Sequence, residues 1–322
     1  MTHDRLKGLF NWAVQAYTRT MNSSNSINRR SLLKRAGLGA LALGVGGLRG
    51  LAETQQEAQA DGLYKIKNGH IQQSVVWWCF KPMTADELIG HAADLGMASV
   101  ELVPPENWAE LKKRGMVCAM APSHGWQKGF AQKEQHDECL QILRERIDQC
   151  SAAGYERVIT FSGFRNGQST EAATRNMVEG LKKIVGYAEK KNVTLCLEML
   201  NSRVHIFMKG HPDYFCDNID MSADICRQIS SERMKLLFDI YHVQIMHGDI
   251  ISHLRQHEPY IAHYHTAGNP GRNEIDDTQE INYPPIMRAI LETGYKGYVG
   301  QEFVPLRDKV ASLSQAVKLC DV

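Results

Sequence analysis

Four short runs decide the fold of this chain: CLEML at 196–200, LLFDIYH at 236–242, AHYHTAG at 262–268 and GYVGQEF at 297–303. Each run is typical of a β-strand, and each contains a potential metal ligand near its end: Glu198, Asp239, His265 and Glu302. Successive ligands lie 26 to 41 residues apart, which is about the length of one strand plus one helix in a repeating β/α unit. The spacing predicts that the four side chains meet at the mouth of a β/α barrel.

The same alternation of strands and helices extends over the rest of the chain from residue 70. We predict eight strands: Ser74–Phe80, Ser99–Val103, Met116–Pro122, Arg157–Ser162, Thr194–Leu200, Lys235–Tyr241, Ile261–Thr266 and Tyr298–Phe303. We predict helices between and after them: Ala85–Leu95, Asn107–Arg114, Lys133–Ala153, Glu171–Lys191, Ser222–Ile229, Asp249–Gln256, Pro285–Glu292 and Arg307–Leu319. Thr84 and Gly154 are predicted helix caps. This pattern matches the size of a (β/α)8 TIM barrel, about 250 residues, so residues 61–322 are predicted to form one barrel.

The overall charge is nearly balanced, with 37 basic against 36 acidic residues. Nucleic-acid-binding domains usually carry a basic surplus, so the expected partner is a small neutral or anionic metabolite and not a nucleic acid. The sequence is also compatible with a homo-oligomer. Eight scattered cysteines lack a close CxxC pair, and we interpret them mainly as small buried apolar residues, with a disulfide as the alternative.

The first sixty residues have the character of a targeting segment. RRSLLKRAGLGALALGVGGL at 29–48 places paired arginines before a glycine-rich apolar run that is short for a transmembrane span. This pattern resembles a bacterial twin-arginine export signal, and AQA at 58–60 supplies small residues for cleavage. We predict a signal and leader at 1–60, an exported, periplasmic protein and no stable membrane span after processing. An uncleaved anchor or an amphipathic tail is the alternative.

Side-chain alternation tests the ligand hypothesis, because alternate residues of a barrel strand face the interior. In the fifth predicted strand Leu195, Leu197 and Met199 share the outward face, so Glu198 points inward. The same parity turns the other three candidates inward: Asp239, His265 and Glu302. Three converging carboxylates repel each other unless a cation or protons intervene, and carboxylates with one imidazole favour Mn²⁺, Mg²⁺, Co²⁺ or Zn²⁺. We therefore predict one divalent metal, against the alternatives of capping carboxylates, strand-end salt bridges and a core histidine.

Four longer stretches carry a family resemblance: GMASVELV at 96–103, FDIYH ending at His242, AHYHTAGNPGRNEIDDTQEINYP at 262–284 and GYKGYVGQEFVP at 294–305. They are similar to the xylose isomerase-like TIM-barrel superfamily and, within it, to the hydroxypyruvate isomerase branch, over about residues 70–308. The resemblance implies that His242 and Arg272 contact the substrate. It also implies a metal site of four residues: Glu198, Asp239, His265 and Glu302.

The hypothesis for the chemistry is an aldose–ketose isomerase or a ketose epimerase, which moves a proton on a carbon next to a carbonyl group. Glu198 and Glu302 would exchange this proton as the catalytic pair, while the metal stabilises the substrate enediolate. His124 and Glu101 are further candidate substrate contacts. For Glu101 an internal salt bridge is the alternative.

Two positions depart from the hydroxypyruvate isomerase branch, which tends to carry Gln where His265 stands and Lys where Val304 stands. The ketose epimerase branch has His at the first of these positions. Export favours a second hypothesis, a lyase or epimerase that acts on keto-sugars or keto-glycosides. A non-catalytic sugar-binding barrel is a third. A fourth is the endonuclease branch of the superfamily, which uses a histidine-rich cluster of several zinc ions, and the balanced charge and single ligand histidine argue against it.

Overall fold

The apolar runs of the sequence form parallel strands in a computed structural model that describes residues 62–322. The strands are β1 (Gln72–Val76), β2 (Ser99–Glu101), β3 (Arg157–Thr160), β4 (Thr194–Glu198), β5 (Met234–Asp239), β6 (Ile261–Thr266) and β7 (Tyr298–Gln301). Hydrogen-bonded neighbours follow the order β2-β1-β7-β6-β5-β4-β3. The predicted signal and leader, residues 1–60, lie outside the described residues.

The gap between β2 and β3 is closed by the segment predicted as the third strand, Met116–Pro122. Val117 bridges Ser99 of β2, and Ala121 bridges Val158 of β3, both in the parallel sense. The prediction of a regular strand here was wrong, because the backbone N–H of Ala119 donates to the Ser99 hydroxyl at 2.9 Å instead of to a ladder carbonyl. The segment nevertheless occupies the eighth position, so the predicted TIM-barrel fold is confirmed.

Helices join the strands and form the outer layer. They are α1 (Ala85–Asp94), α2 (Trp108–Lys113), α3 (His136–Ala153), α4 (Thr170–Lys190), α5 (Ile219–Ile229), α6 (Ile240–Met246), α7 (Ile250–Gln256), α8 (Tyr283–Glu292) and α9 (Lys309–Cys320). The predicted caps are confirmed: the Thr84 hydroxyl accepts from the Glu87 N–H while the Glu87 carboxylate accepts from the Thr84 N–H, and α3 ends on left-handed Gly154.

Strand β5 is shorter than the predicted Lys235–Tyr241, because α6 begins immediately after Asp239. The Asp239 carboxylate caps this helix: its Oδ1 accepts hydrogen bonds from the backbone N–H groups of Tyr241 at 2.8 Å and His242 at 3.2 Å. The residues directly after Asp239, Ile240 and Tyr241, continue the strand pattern in the sequence but belong to the helix. One consequence is that His242 lies in the first turn of α6, directly above the strand end.

The side chains of the strands are buried on both faces, between the barrel interior and the helix layer. All eight cysteines lie within the described residues; each is buried and unpaired, which agrees with their interpretation as small apolar residues. Burial raises the pKa of Cys196 to about 12, so this thiol stays neutral. Within residues 62–322, the helices are too short or too polar to cross a bilayer.

Candidate active site

Four side chains from adjacent strands meet at the carboxyl end of the barrel. Glu198 and Asp239 are the last residues of β4 and β5, His265 lies near the end of β6, and Glu302 directly follows β7. All four are at most 4% exposed, and a potential ligand atom from each lies within 4.8 Å of those of the others. The structure therefore brings together the four residues that the strand spacing and parity singled out. Their role as metal ligands stays a prediction.

An imidazole and a guanidinium group lie against these carboxylates. His265 Nδ1 lies 2.9 Å from Glu302 Oε2 and 3.5 Å from Glu198 Oε1. The Arg272 guanidinium donates to Glu302 Oε2 at 2.5 Å and lies 3.5 Å from Asp239 Oδ2. Glu302 is thus the most strongly paired carboxylate of the site, whereas among the described residues Glu198 has an ion-pair contact with His265 alone.

Burial alone would raise the pKa of all three carboxyl groups, because an ionised group loses its hydration. For Glu302, Arg272 and His265 outweigh burial and hold the pKa well below its ordinary value. Glu198 shows the opposite shift, since burial and then repulsion from Glu302 raise its pKa. Burial also raises the pKa of Asp239, to about 8, against the attraction of Arg272. The site therefore contains one ionised carboxylate, Glu302, and two carboxyl groups, Glu198 and Asp239, whose ionised forms would be stabilised by a further cation.

Buried polar atoms without partners indicate what the site can hold. In the part of the chain that the structure describes, Glu198 Oε1 and both ring nitrogens of His265 are inaccessible to solvent and lack a hydrogen bond of normal geometry, although His265 Nδ1 is within ion-pair distance of Glu302. Leaving such atoms unsatisfied is costly, and carboxylate oxygen with imidazole nitrogen suits Mn²⁺, Mg²⁺, Co²⁺ or Zn²⁺. The residues fit one divalent metal held by four side chains: Glu198, Asp239, His265 and Glu302.

His242, a predicted substrate contact, presents a neutral N–H to the site. Its Nδ1 accepts from the backbone N–H of Asn201 at 3.0 Å, which places the ring proton on Nε2. Burial holds the pKa of His242 well below its ordinary value. The Nε2 atom lies 3.6 Å from Asp239 Oδ2 and has no hydrogen-bond partner among residues 62–322. It is therefore free to donate to a substrate oxygen.

Arg272 is the other substrate contact implied by the family resemblance. Only 2% of it is exposed, and several contacts hold its side chain in place. Its guanidinium lies 5.2 Å from the Trp78 ring and 5.7 Å from the Tyr241 ring, distances at which cation–π attraction contributes. Nη1 donates to the Met208 carbonyl at 2.8 Å, while Nη2 contacts Glu302. Its Nε atom is buried and has no partner among the described residues, so Arg272 retains one donor for a ligand.

Trp78 also belongs to the site, because the first strand ends earlier than the predicted Ser74–Phe80. Strand β1 stops at Val76, and Trp77–Phe80 form a 3-10 turn. The turn lets the Trp78 indole donate from Nε1 to Glu302 Oε1 at 3.2 Å.

His211 is a site residue that was absent from the sequence-based candidates. It lies in the long loop after β4; its ring is 5.7 Å from the His242 ring and 4.4 Å from the Trp126 ring. Both ring nitrogens are buried without partners in the described barrel, residues 62–322, and burial, with the nearby Arg272, lowers the pKa of His211 to about 3. The available signal was the length of this loop, since long loops on the carboxyl face of a barrel build the active site.

The remaining two predicted substrate contacts are engaged elsewhere. The ring nitrogens of His124 pair with the Lys128 carbonyl at 3.1 Å and the Thr160 hydroxyl at 3.0 Å, so the structure does not bring His124 into the four-residue group. Glu101, at the end of β2, is fully buried and faces His263 and His265 inside the barrel. Its position matches the alternative of an internal ion pair.

Comparison with known proteins agrees with this architecture. A family model described as a xylose isomerase-like TIM barrel matches residues 89–318. A putative hydroxypyruvate isomerase of Homo sapiens is 32% identical over 236 residues, which cover 72% of this chain and 79% of the relative. The 2-oxo-tetronate isomerase of Cupriavidus necator is 29% identical over 241 residues, covering 71% and 90%. Among solved structures, apo 3-keto-D-glucoside 4-epimerase from E. coli has a TM-score of 0.65 at 16% identity, covering 78% and 100%, and shares the fold.

Proposed function

We propose that this chain is a metal-dependent isomerase or epimerase of a small hydroxy-carbonyl compound. The premise is that the chain belongs to the xylose isomerase-like TIM barrel family. One observation carries the proposal: three carboxylates and one imidazole, all buried, present ligand atoms within 4.8 Å of one another at the barrel mouth. The relatives named as hydroxypyruvate and 2-oxo-tetronate isomerases support an isomerase or epimerase.

The reaction requires a proton to leave the carbon next to a carbonyl group and to return at a neighbouring carbon or from the opposite face. Glu302 is suited to remove it, because the Arg272 guanidinium keeps its carboxylate ionised. Glu198 is suited to accept a proton and return it, because burial and repulsion from Glu302 raise its pKa and so make its carboxylate a better proton acceptor. A bound divalent metal would supply Lewis-acid polarisation of the carbonyl and its adjacent hydroxyl oxygen.

Substrate recognition falls to the donors that lack protein partners. The His242 Nε2 and Arg272 Nε atoms are buried and unpartnered, and each can donate to a carbonyl or hydroxyl oxygen. His211 adds two further unpartnered nitrogens on the same side as His242. A polyhydroxylated substrate would satisfy these groups, whereas an apolar ligand would leave them unpaired at a cost.

A second candidate function follows from the N-terminal sequence. The paired arginines at 29 and 30 favour export, and an exported enzyme meets extracellular or periplasmic substrates. Under this hypothesis the same site serves a lyase or epimerase that acts on keto-sugars or keto-glycosides. His265, the residue type of the ketose epimerase branch at this position, agrees with epimerase chemistry.

Metal removal combined with a substrate panel tests the proposal. We expect the purified protein to bind one divalent ion per chain, to interconvert at least one compound among hydroxypyruvate, ketoses and 3-keto-glycosides, and to lose turnover on chelation until metal is restored. The reacting compound decides between the two candidate functions. Full activity of a chelated protein shown to be metal-free would contradict metal dependence. Sugar binding without turnover across the panel would instead indicate a non-catalytic barrel.

A further inference from the structure

A second group of buried polar side chains lies inside the barrel, beside the proposed metal site. It consists of Glu101, the last residue of β2, with His263 and His265 of β6. Glu101 Oε2 is 2.8 Å from His263 Nε2, and Glu101 Oε1 is 3.6 Å from His265 Nε2. All three side chains have no exposed surface. Because His265 is common to both groups, it connects Glu101 to the metal site.

The two edges of the His265 ring face different carboxylates. Nδ1 points to Glu302 at 2.9 Å and Glu198 at 3.5 Å, whereas Nε2 points to Glu101. A histidine that binds a metal uses the lone pair of one ring nitrogen and almost always donates the N–H of the other, often to a carboxylate. This division suits Nδ1 as the ligand atom of His265 and leaves Nε2 facing Glu101 Oε1 at 3.6 Å, an ion-pair distance.

The Glu101 carboxylate is near hydrogen-bonding distance of the two histidines but is not bound to them or to other described groups. Within residues 62–322, neither oxygen of Glu101 has a hydrogen bond of normal geometry, and the ring nitrogens of His263 are likewise unpartnered. His263 Nε2 nevertheless lies 2.8 Å from the second oxygen of Glu101, within ion-pair distance, and so confines the carboxylate that faces His265. A buried carboxylate without such partners would be strongly destabilising, which makes the arrangement of all three residues interdependent.

The neighbouring strand leaves room for this contact. Gly300 of β7 pairs with His265 in the sheet register. A Cβ atom at position 300 would clash with Glu101 Oε1 and would lie 2.9 Å from His265 Cδ2. Any larger residue would push the Glu101 carboxylate away from the imidazole, so the glycine preserves the space in which the two side chains meet.

We propose that Glu101 is a positioning residue: it accepts the Nε2–H of His265 and thereby directs the Nδ1 lone pair toward the divalent metal. The inference rests on the proposed function, because it requires His265 to be a metal ligand. It replaces the expectation that Glu101 contacts the substrate, since this side chain lies against His265 and His263 within the barrel.

The test is a double-mutant cycle read out by calorimetric titration of metal-free protein with Mn²⁺. Glu101→Gln is expected to weaken Mn²⁺ binding by about 10- to 100-fold, the usual cost of losing such a partner. In the His265→Gln background, the further change Glu101→Gln should alter affinity less than about twofold, because the residue through which Glu101 acts is gone. Asp321→Asn is the matched control: this buried carboxylate binds residues 67–69 before β1, so Mn²⁺ affinity should not change.

Each result has a defined meaning. Wild-type Mn²⁺ affinity in Glu101→Gln, or an equal loss in both backgrounds, would overturn the positioning role. If the Gln variant does not fold, Glu101→Asp keeps the charge but withdraws it by one methylene; it should bind Mn²⁺ at least about tenfold more weakly, and undiminished affinity would overturn the role equally. Failure of the wild-type protein to bind any divalent ion would instead overturn the proposed function.

Discussion

Glu302→Gln should lower kcat by about 10³-fold or more while the barrel stays folded. Gln keeps the size of the side chain but removes the carboxylate that Arg272 and His265 hold ionised. General acid–base groups contribute about 10²- to 10⁴-fold to rate, and loss of a predicted metal ligand adds to this. Steady-state kinetics at saturating metal, with metal content measured on the same sample, gives the result.

The control for Glu302→Gln is Glu232→Gln, the same substitution at a side chain that is 94% exposed. It should leave kcat within about twofold of wild type, because surface substitutions away from the site rarely matter. Wild-type turnover in a Glu302→Gln protein that has its metal bound would remove the paired-carboxylate mechanism. Loss of both turnover and circular dichroism would mean that the variant had not folded, and Glu302→Asp would then take its place with the same expected loss of turnover.

Glu198→Gln should also lower kcat by about 10³-fold. Its effect on the stability of the metal-free protein should be the opposite of that of Glu302→Gln. The pKa of Glu198 is raised in the folded protein by burial and by Glu302. An acid whose pKa is higher when folded opposes folding wherever the pH exceeds its unfolded value, because ionisation then favours the unfolded chain. Near neutral pH the wild-type residue therefore destabilises the metal-free protein, and its replacement by Gln should raise Tm.

Glu302 provides the internal comparison for this sign. Its pKa is lowered in the folded protein by Arg272 and His265, which outweigh burial, so its charge stabilises the fold above the unfolded pKa and the benefit is lost as the pH falls. Metal-free Glu302→Gln should accordingly have a lower Tm than wild type at neutral pH. Thermal unfolding of the two metal-free variants checks both signs, and a fall in Tm for Glu198→Gln would refute the electrostatic account.

Strand spacing and parity were sufficient to predict the core of the site. Ligands at the ends of successive parallel strands must meet at one edge of a closed sheet, and the period of two assigns each side chain to a face. Both rules are local, so they located Glu198, Asp239, His265 and Glu302 without knowledge of loop conformation. The same rules predicted the barrel itself. They depend on the repetition of the β/α unit along the chain, so an error in one element does not change the predicted fold.

Features that depend on tertiary contacts were beyond these rules. The sequence of Met116–Pro122 has strand character, but a side-chain hydroxyl on β2 takes one of its backbone bonds. The apolar letters after Asp239 fit a strand as well as a helix, and the cap formed by Asp239 decides for the helix. His211 lies on a loop whose path no periodicity fixes.

The role of Glu101 likewise depends on a tertiary contact that the sequence rules do not predict. The sequence placed it correctly inside the barrel, but the choice between a substrate contact and an internal ion pair depends on what lies opposite. That neighbour is His263, 162 positions later in the sequence, at 2.8 Å. Only the strand order, which separates β2 from β6 by β1 and β7, defines which interior side chains face each other across the barrel.

Solvent exchange tests the central claim, proton transfer by Glu198 and Glu302, most directly. The metal-loaded enzyme is incubated in D₂O with the compound that reacts in the substrate panel, and deuterium in product and recovered substrate is measured by mass spectrometry. A proton held by a carboxyl group exchanges with solvent between turnovers, so we predict deuterium on the carbon next to the carbonyl group with wild-type enzyme and none with Glu302→Gln. Product formed at the full rate without any deuterium would contradict proton transfer by this pair.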